Sequence, residues 1–398
     1  MPNETPKTEV SGYSDMSLCV HHPEVSHEGY ESLAVATYRA STIVFPDAEA
    51  YRTRKNRGPR GFTYGLNGTP TTRVLEQQIA ELERGVGTIL APSGMAAISL
   101  IMMSVLRPGD RVAIPDSVYP PVKKFCHDYL TPMGIGFDIY QPDLSDLEEK
   151  LYPQTRLIWA ESPGSTTMEV QDLKRLAQIG RDRNILTGCD NTWATPLYFK
   201  PLDLGIDFSM QALTKYAGGH SDLLMGAVAV NSEALFEKIA ATRTLLGIGV
   251  SPDDCSLALR GLETMAIRLA HVDRSARQLA EACRQHSSVA RILHPAFSSC
   301  PGHEIWQRDF LGASGTFSLE LNKAVSSQID VALNKSRLFA IGASWGGTRS
   351  LIAPMSVERT DPKKERIDYL RVSIGLEDPR ELETELQTIL ATLDTVAD

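Results

Sequence analysis

The sequence predicts an α/β protein, a large domain built on a mainly parallel sheet followed by a smaller α+β domain. Three observations predict it. Between Thr71 and about residue 257, apolar runs of strand length alternate with segments of helical periodicity, the pattern of a parallel sheet covered by helices. After about residue 258 the texture changes to longer, charged helices with fewer strand-like runs. The length of 398 residues exceeds one ordinary core, at about 150 residues per domain.

Residues 1–68 read as a polar, irregular N-terminal arm with one apolar patch at 42–45. Within it Arg52, Arg54, Lys55, Arg57 and Arg60 place five basic residues in nine positions, either a solvated face or an arm lying over a neighbouring subunit. Leu75, Ile79 and Leu82 then share one helical face, stopped by Gly85. Residues 88–91 read as a strand, 94–106 as a buried helix, and Arg107-Pro-Gly-Asp110 as a turn before the strand 111–114. Further strand runs stand at 157–160, 185–189, 208–213 and 227–230, with helical Leu173, Leu176 and Ile179 after the N-cap candidate Asp172. The last helix is marked by the stripe Leu382, Leu386, Ile389, Leu390 and Leu393.

Composition narrows the class of function. Hydrophobic residues at 42% and charged residues at 22% are those of a soluble globular protein. Forty Lys and Arg against 49 Asp and Glu leave a formal charge of −9, which argues against a nucleic-acid partner. The longest largely apolar stretch, residues 94–106, is 13 residues long, short of the roughly 20 needed to cross a bilayer. The first thirty residues lack the apolar core of a signal peptide. The six Cys show no metal-ligand spacing and read as reduced, buried thiols. A cytoplasmic protein without a metal site or a membrane partner is expected.

Three strand ends carry chemistry. Ser93-Gly94-Met95 joins a strand to a helix and offers free N–H groups at a positive helix end, although a tight turn explains it equally well. It matches neither a P-loop nor a dinucleotide fingerprint. Asp190 follows the strand 185–189, where parallel folds place their sites, although most such Asp residues merely cap and this one alone does not mark a site. Lys215 follows Thr214 at the end of 208–213, either as a snorkelling surface lysine or as a desolvated amine with a depressed pKa. Together an anion cradle, an acid and a lysine are the parts that hold pyridoxal 5'-phosphate. The cradle takes the phosphate, the acid keeps the pyridine nitrogen protonated and the lysine forms the imine.

On Glu161-Ser-Pro-Gly-Ser165, Asp190-Asn-Thr-Trp193, Gln211-Ala-Leu-Thr-Lys-Tyr216, Gly219-His-Ser-Asp222 and Ser344-Trp-Gly-Gly347, the chain resembles the Cys/Met-metabolism family of pyridoxal-phosphate enzymes. Within the family it is most similar to the cystathionine β-lyases, in order from about Tyr38 to Glu377. The resemblance implies an aspartate-aminotransferase-like fold type I: an arm over 1–68 reaching the neighbouring subunit, a cofactor domain over 69–257 and a small C-terminal domain over 258–398. It also implies a homotetramer, a dimer of dimers with shared active sites.

By the same resemblance Lys215 binds the cofactor covalently, Asp190 faces the pyridine nitrogen and Tyr119 stacks on the ring. Gly94, Met95 and Thr214 hold the phosphate, and Tyr64 reaches in from the neighbour. Arg371, in Leu370-Arg-Val-Ser-Ile-Gly375, grips the substrate α-carboxylate, and Ser344 and Trp345 line the substrate pocket. Taken without the resemblance, Trp345, Tyr119 and Arg371 read first as core packing, a buried aromatic and half of an ion pair. The implied reaction is α,β-elimination from an amino-acid thioether such as L-cystathionine. Lys215 removes the Cα proton, a thiol leaves, and pyruvate and ammonia follow. Tyr64 or Tyr119 is a candidate for substrate deprotonation or ring alignment.

The sequence departs from the family pattern at two places. Tyr64-Gly65-Leu66 stands where relatives have Tyr-x-Arg, which removes a phosphate contact unless Arg60 or Arg73 replaces it. Thr348-Arg349 stands where relatives often have another residue followed by Glu. Rival readings are a γ-lyase or γ-synthase of the family, a cysteine S-conjugate lyase with alanine racemase activity, and a non-catalytic binding protein. Ala343-Ser344-Trp345, lacking the Glu of the γ-lyases, favours β-cleavage, and joint retention of Lys215, Asp190 and Arg371 argues against the non-catalytic reading.

Overall fold

The computed structural model describes residues 14–21, 32–322, 328–357, 359–360 and 366–394. The chain's start is not irregular throughout. Ser14 caps a short helix, Asp15–Val20, whose Leu18 and Cys19 are buried beside the helix Pro70–Glu83. Residues 1–13 and 22–31 of the expected arm lie outside the described residues. The rest of the arm is largely exposed, Val44 to 89%. Its basic residues are engaged within the chain: Arg54 and Arg57 cover the rings of Tyr51 and Phe45, and Arg60 covers Phe236 while pairing with Glu233.

Helix Pro70–Glu83 starts where the Thr72 hydroxyl accepts from the Thr69 amide at 2.6 Å, with Pro70 in the first turn, where no N–H is needed. Leu75, Ile79 and Leu82 are buried as the periodicity requires. Seven strands make the large sheet: β1 (Gly87–Ala91), β2 (Arg111–Pro115), β3 (Gly136–Tyr140), β4 (Thr155–Glu161), β5 (Leu186–Asp190), β6 (Phe208–Ala212) and β7 (Gly226–Val230). Their order is β1-β7-β6-β5-β4-β2-β3. β3, β2, β4, β5 and β6 run parallel, while β7 lies antiparallel between β6 and β1. β3 is absent from the sequence reading because it is a half-buried edge strand whose apolar run is broken by Asp138.

Both faces are covered, which is why the central strands read as unbroken apolar runs. Helices Gly94–Val105 and Glu233–Leu245 pack Ile98, Ile101, Phe236 and Ile239 on one face. Helix Leu173–Arg183, capped by Asp172 accepting from the Arg175 amide, packs Leu173, Leu176 and Ile179 on the other.

The C-terminal part is built on a five-stranded sheet of β8 (Val289–Leu293), β9 (Thr316–Leu321), β10 (Ala340–Ile341), β11 (Leu351–Val357) and β12 (Ile367–Ser373), ordered β10-β11-β12-β9-β8. Strands are more numerous here than the sequence texture suggests, because exposed Pro354 and partly exposed Glu320 and Asp368 interrupt their apolar runs. Helix Pro379–Asp394 buries its leucine stripe in the cluster beneath this sheet. Residue 258 falls inside helix Pro252–Glu263, which packs on helix Pro70–Glu83. The next helix, Met265–Ala282, lays Leu269 and Val272 into that cluster and Ala276 and Leu279 into the C-terminal one.

Candidate active site

The parallel strands deliver their carboxyl ends to one cleft of about 270 Å³, closed on the far side by the loop after β10 and by β12. Gly94, Met95, Tyr119, Asp190, Thr214, Lys215, Ser344, Trp345 and Arg371 all line it. Tyr64 does not: it lies on the arm and is 52% exposed.

Lys215 comes three residues after β6 ends at Ala212. Its ammonium donates to Ser344 Oγ at 2.7 Å and stands 5.0 Å from the centre of the Trp345 ring. No carboxylate pairs with it among the described residues. Burial first, then the charge of Arg371, lowers its pKa to about 8, against the opposing pull of Asp190. An amine poised there gives up its proton far more easily than a free lysine, as imine formation and proton abstraction require.

Asp190 closes β5 and accepts from the Thr192 amide at 2.9 Å. Glu161 closes β4 in register with it, and the two Cα atoms face each other across one strand spacing of about 4.8 Å. Glu161 accepts from the Tyr119 amide at 2.6 Å and so fixes where that ring enters the cleft. Burial raises both acids, and for Glu161 the neighbouring Asp190 raises it further.

Arg371 sits on β12 and is 5% exposed. It donates to the Ala343 carbonyl at 2.6 Å and has no ion pair among the described residues. Burial lowers its pKa. A buried guanidinium without a counter-ion is costly and leaves a socket for an incoming carboxylate.

The helix Gly94–Val105 points its N-terminus into the cleft. Ser93 Oγ accepts from the Ala96 amide at 3.0 Å, leaving the Gly94 and Met95 amides at the first turn to face the cavity. Gly94 is required by close approach, since a Cβ there would stand 2.8 Å from the Ala212 Cβ. The Thr214 hydroxyl donates to the Met225 carbonyl at 3.2 Å and accepts from the Met225 amide at 3.0 Å.

These residues fit pyridoxal phosphate. First-turn amides suit its phosphate, Tyr119 its ring face, Asp190 its ring nitrogen and Lys215 its aldehyde. Glu161, Thr192 and Thr316 also line the cleft and were not singled out from sequence. Glu161 was within reach, because it ends a strand by the same rule that marks Asp190. Neither Arg60 nor Arg73 is free to replace the arginine missing at Leu66. Arg60 is paired with Glu233, and Arg73 with Glu76 and the carbonyls of Pro59, Arg60 and Asn67. Leu66 itself packs against Gly249.

Comparison with known proteins agrees with this geometry. The family model for Cys/Met metabolism PLP-dependent enzymes matches residues 16–391. The chain is 38% identical to a cystathionine beta-lyase of Bordetella avium, over 91% of this chain and 93% of the relative. It is 34% identical to an L-alanine/L-glutamate racemase of Wolbachia pipientis, over 91% and 93%. In structure it is similar to a cystathionine gamma synthase from Xanthomonas oryzae, solved with aminoacrylate and cysteine, with a TM-score of 0.86 at 26% identity over 96% of this chain and 99% of that one. With a fold-type-I architecture, a lysine, an acid and a phosphate cradle in one cleft, and a family match over nearly its whole length, the chain belongs to the Cys/Met metabolism family of PLP-dependent enzymes.

Proposed function

We propose that this chain is a carbon–sulfur β-lyase that cleaves L-cystathionine and other cysteine S-conjugates to pyruvate, ammonia and a thiol. The observation that carries the reading is the juxtaposition of Lys215, its pKa lowered to about 8, with unpaired Arg371 in one cleft. Arg371 takes the α-carboxylate through its two-pronged donor set. Lys215 then removes the Cα proton and is held by Ser344 while it waits. Bound pyridoxal phosphate supplies the electron sink that makes that proton acidic. Asp190 would hold a proton on the cofactor's ring nitrogen, and Tyr119 would take its ring face. The loop over Lys215 adds a hydroxyl and an indole but no second base, which suits the single deprotonation of β-cleavage better than the two of γ-cleavage.

The finer assignments belong to the same reading. The chain acts in the cytoplasm as a homotetramer in which Tyr64 of one arm completes the cleft of a neighbour. The arm spans 1–68, the cofactor domain 69–257 and the small domain 258–398. Incubating the holoenzyme with L-cystathionine tests the reading: pyruvate with homocysteine is expected, and 2-oxobutyrate with cysteine makes it a γ-lyase. Lys215→Ala is expected to abolish the reaction. A second reading, amino-acid racemisation, is favoured by the racemase relative, because it needs the same proton removed at Cα. D-alanine formed from L-alanine is its measurement.

A further inference from the structure

Three of the ionisable groups that line the cleft, Asp190, Lys215 and Arg371, each lie within three residues of a group bonded to one dipeptide, Gly315–Thr316. Trp193, just after Asp190, donates its indole N–H to the Thr316 carbonyl at 2.9 Å. Tyr216, next to Lys215, accepts from the Gly315 amide through its hydroxyl oxygen at 2.9 Å, and that oxygen lies 3.3 Å from Thr316 Oγ1. Beyond Arg371, Ser373 pairs with Thr316 in the ladder, their hydroxyls 3.3 Å apart. The Ile374 amide donates to the Gly315 carbonyl at 2.8 Å.

The dipeptide has no slack. A Cβ at Gly315 would stand 2.7 Å from Val272 Cβ, and Thr316 is 1% exposed. Asp190 ends one strand of the large sheet and Lys215 follows another, whereas Thr316 and Arg371 belong to the small sheet. Gly315–Thr316 is therefore a junction through which the two halves of the site are held in register. The Tyr216 ring is fully buried, with its centre 5.4 Å from that of Trp345.

We infer that Tyr216 is a positioning residue: its hydroxyl, acting through Gly315–Thr316, sets where Arg371 stands relative to Lys215. This rests on reading Arg371 as the carboxylate grip and Lys215 as the proton acceptor. Phenylalanine in its place keeps the ring against Trp345 but leaves the Gly315 amide buried and unpaired, so the start of β9 relaxes toward another partner. The strand paired with it carries Arg371, and reacting groups are sensitive to shifts of about 1 Å.

The test uses Tyr216→Phe holoenzyme, with L-alanine as the probe of binding and L-cystathionine as the substrate. Cofactor content, read from its yellow absorbance, is expected to stay at the parent level. The L-alanine concentration that half-saturates the spectral change is expected to rise about tenfold, KM to rise with it, and kcat to fall less than threefold. Trp193→Phe cuts the indole bond to the Thr316 carbonyl, the other side-chain bond to the backbone of this dipeptide, and is expected to give the same pattern, so the test does not depend on one variant folding. Arg371→Lys raises the same half-saturation on its own, and the double change is expected to cost less than the product of the single effects, because both act on one grip. A lowered melting temperature with unchanged half-saturation in both aromatic variants overturns the inference, as does full independence from Arg371. If Arg371→Lys alone has no effect, the carboxylate-grip reading is what falls, and this inference falls with it.

Discussion

Glu83, the last residue of helix Pro70–Glu83, is wholly buried and accepts from Gln211 Nε2 at 2.6 Å, while its second oxygen has no hydrogen-bond partner among the described residues. Burial outweighs that bond and raises its pKa from 4.5 to about 7. Below pH 4.5 the carboxyl is protonated whether the chain is folded or not, and it is neutral in both. As pH rises from 4.5 to 7 the unfolded chain gives up this proton while the folded chain keeps it, so stability falls through that window, by roughly 3 kcal/mol in all. Glu83→Gln is expected to remove this slope, and urea unfolding of both proteins at a series of pH values measures the difference. Such groups are hard to read from sequence. The strand ends made Asp190 and Lys215 visible, but no local pattern marks Glu83, whose environment is made by β5 and β6 more than a hundred residues away. Tyr216 belongs to the motif around Lys215, yet its bond to Gly315 spans 99 positions, which no spacing rule reaches.

At the scale of elements, the cradle depends on how closely one helix meets one strand. Gly94 allows the start of helix Gly94–Val105 to touch Ala212 at the end of β6. Gly94→Val is expected to push the two apart, weakening cofactor binding at least tenfold while leaving the overall secondary structure in place. Absorbance titration with pyridoxal phosphate beside circular dichroism of the apoprotein measures both. The central elements were legible because parallel strands buried on both faces are apolar from end to end. The edge strand β3 and the antiparallel strands β9, β11 and β12 were less so, because polar residues interrupt their exposed sides. The short helix Asp15–Val20 was missed for a different reason. It is only six residues long and is held by burying Leu18 and Cys19 on another element, not by its own periodicity.

For the whole molecule, the question left by the arm is what Tyr64 meets. Within one chain the arm is tied down by Arg39 to Asp253, by Arg60 to Glu233 and by Arg73 donating to the carbonyls of Pro59, Arg60 and Asn67, and Tyr64 is left facing outward. If the arm completes a neighbour's cleft, position 66 holds a leucine, packed on Gly249, where an arginine could reach the phosphate. Leu66→Arg is then expected to lower the dissociation constant for pyridoxal phosphate about tenfold, the value of one charge-assisted bond. An equilibrium titration showing no gain sinks that account. One further consequence belongs to helix Met265–Ala282, a single rod whose first turns lie in one core and whose last turns lie in the other. Neither half of the protein can be inherited, swapped or expressed alone without exposing an oily stripe. Exchange between relatives succeeds when the helix travels with both of its beds, so the two halves share one fate.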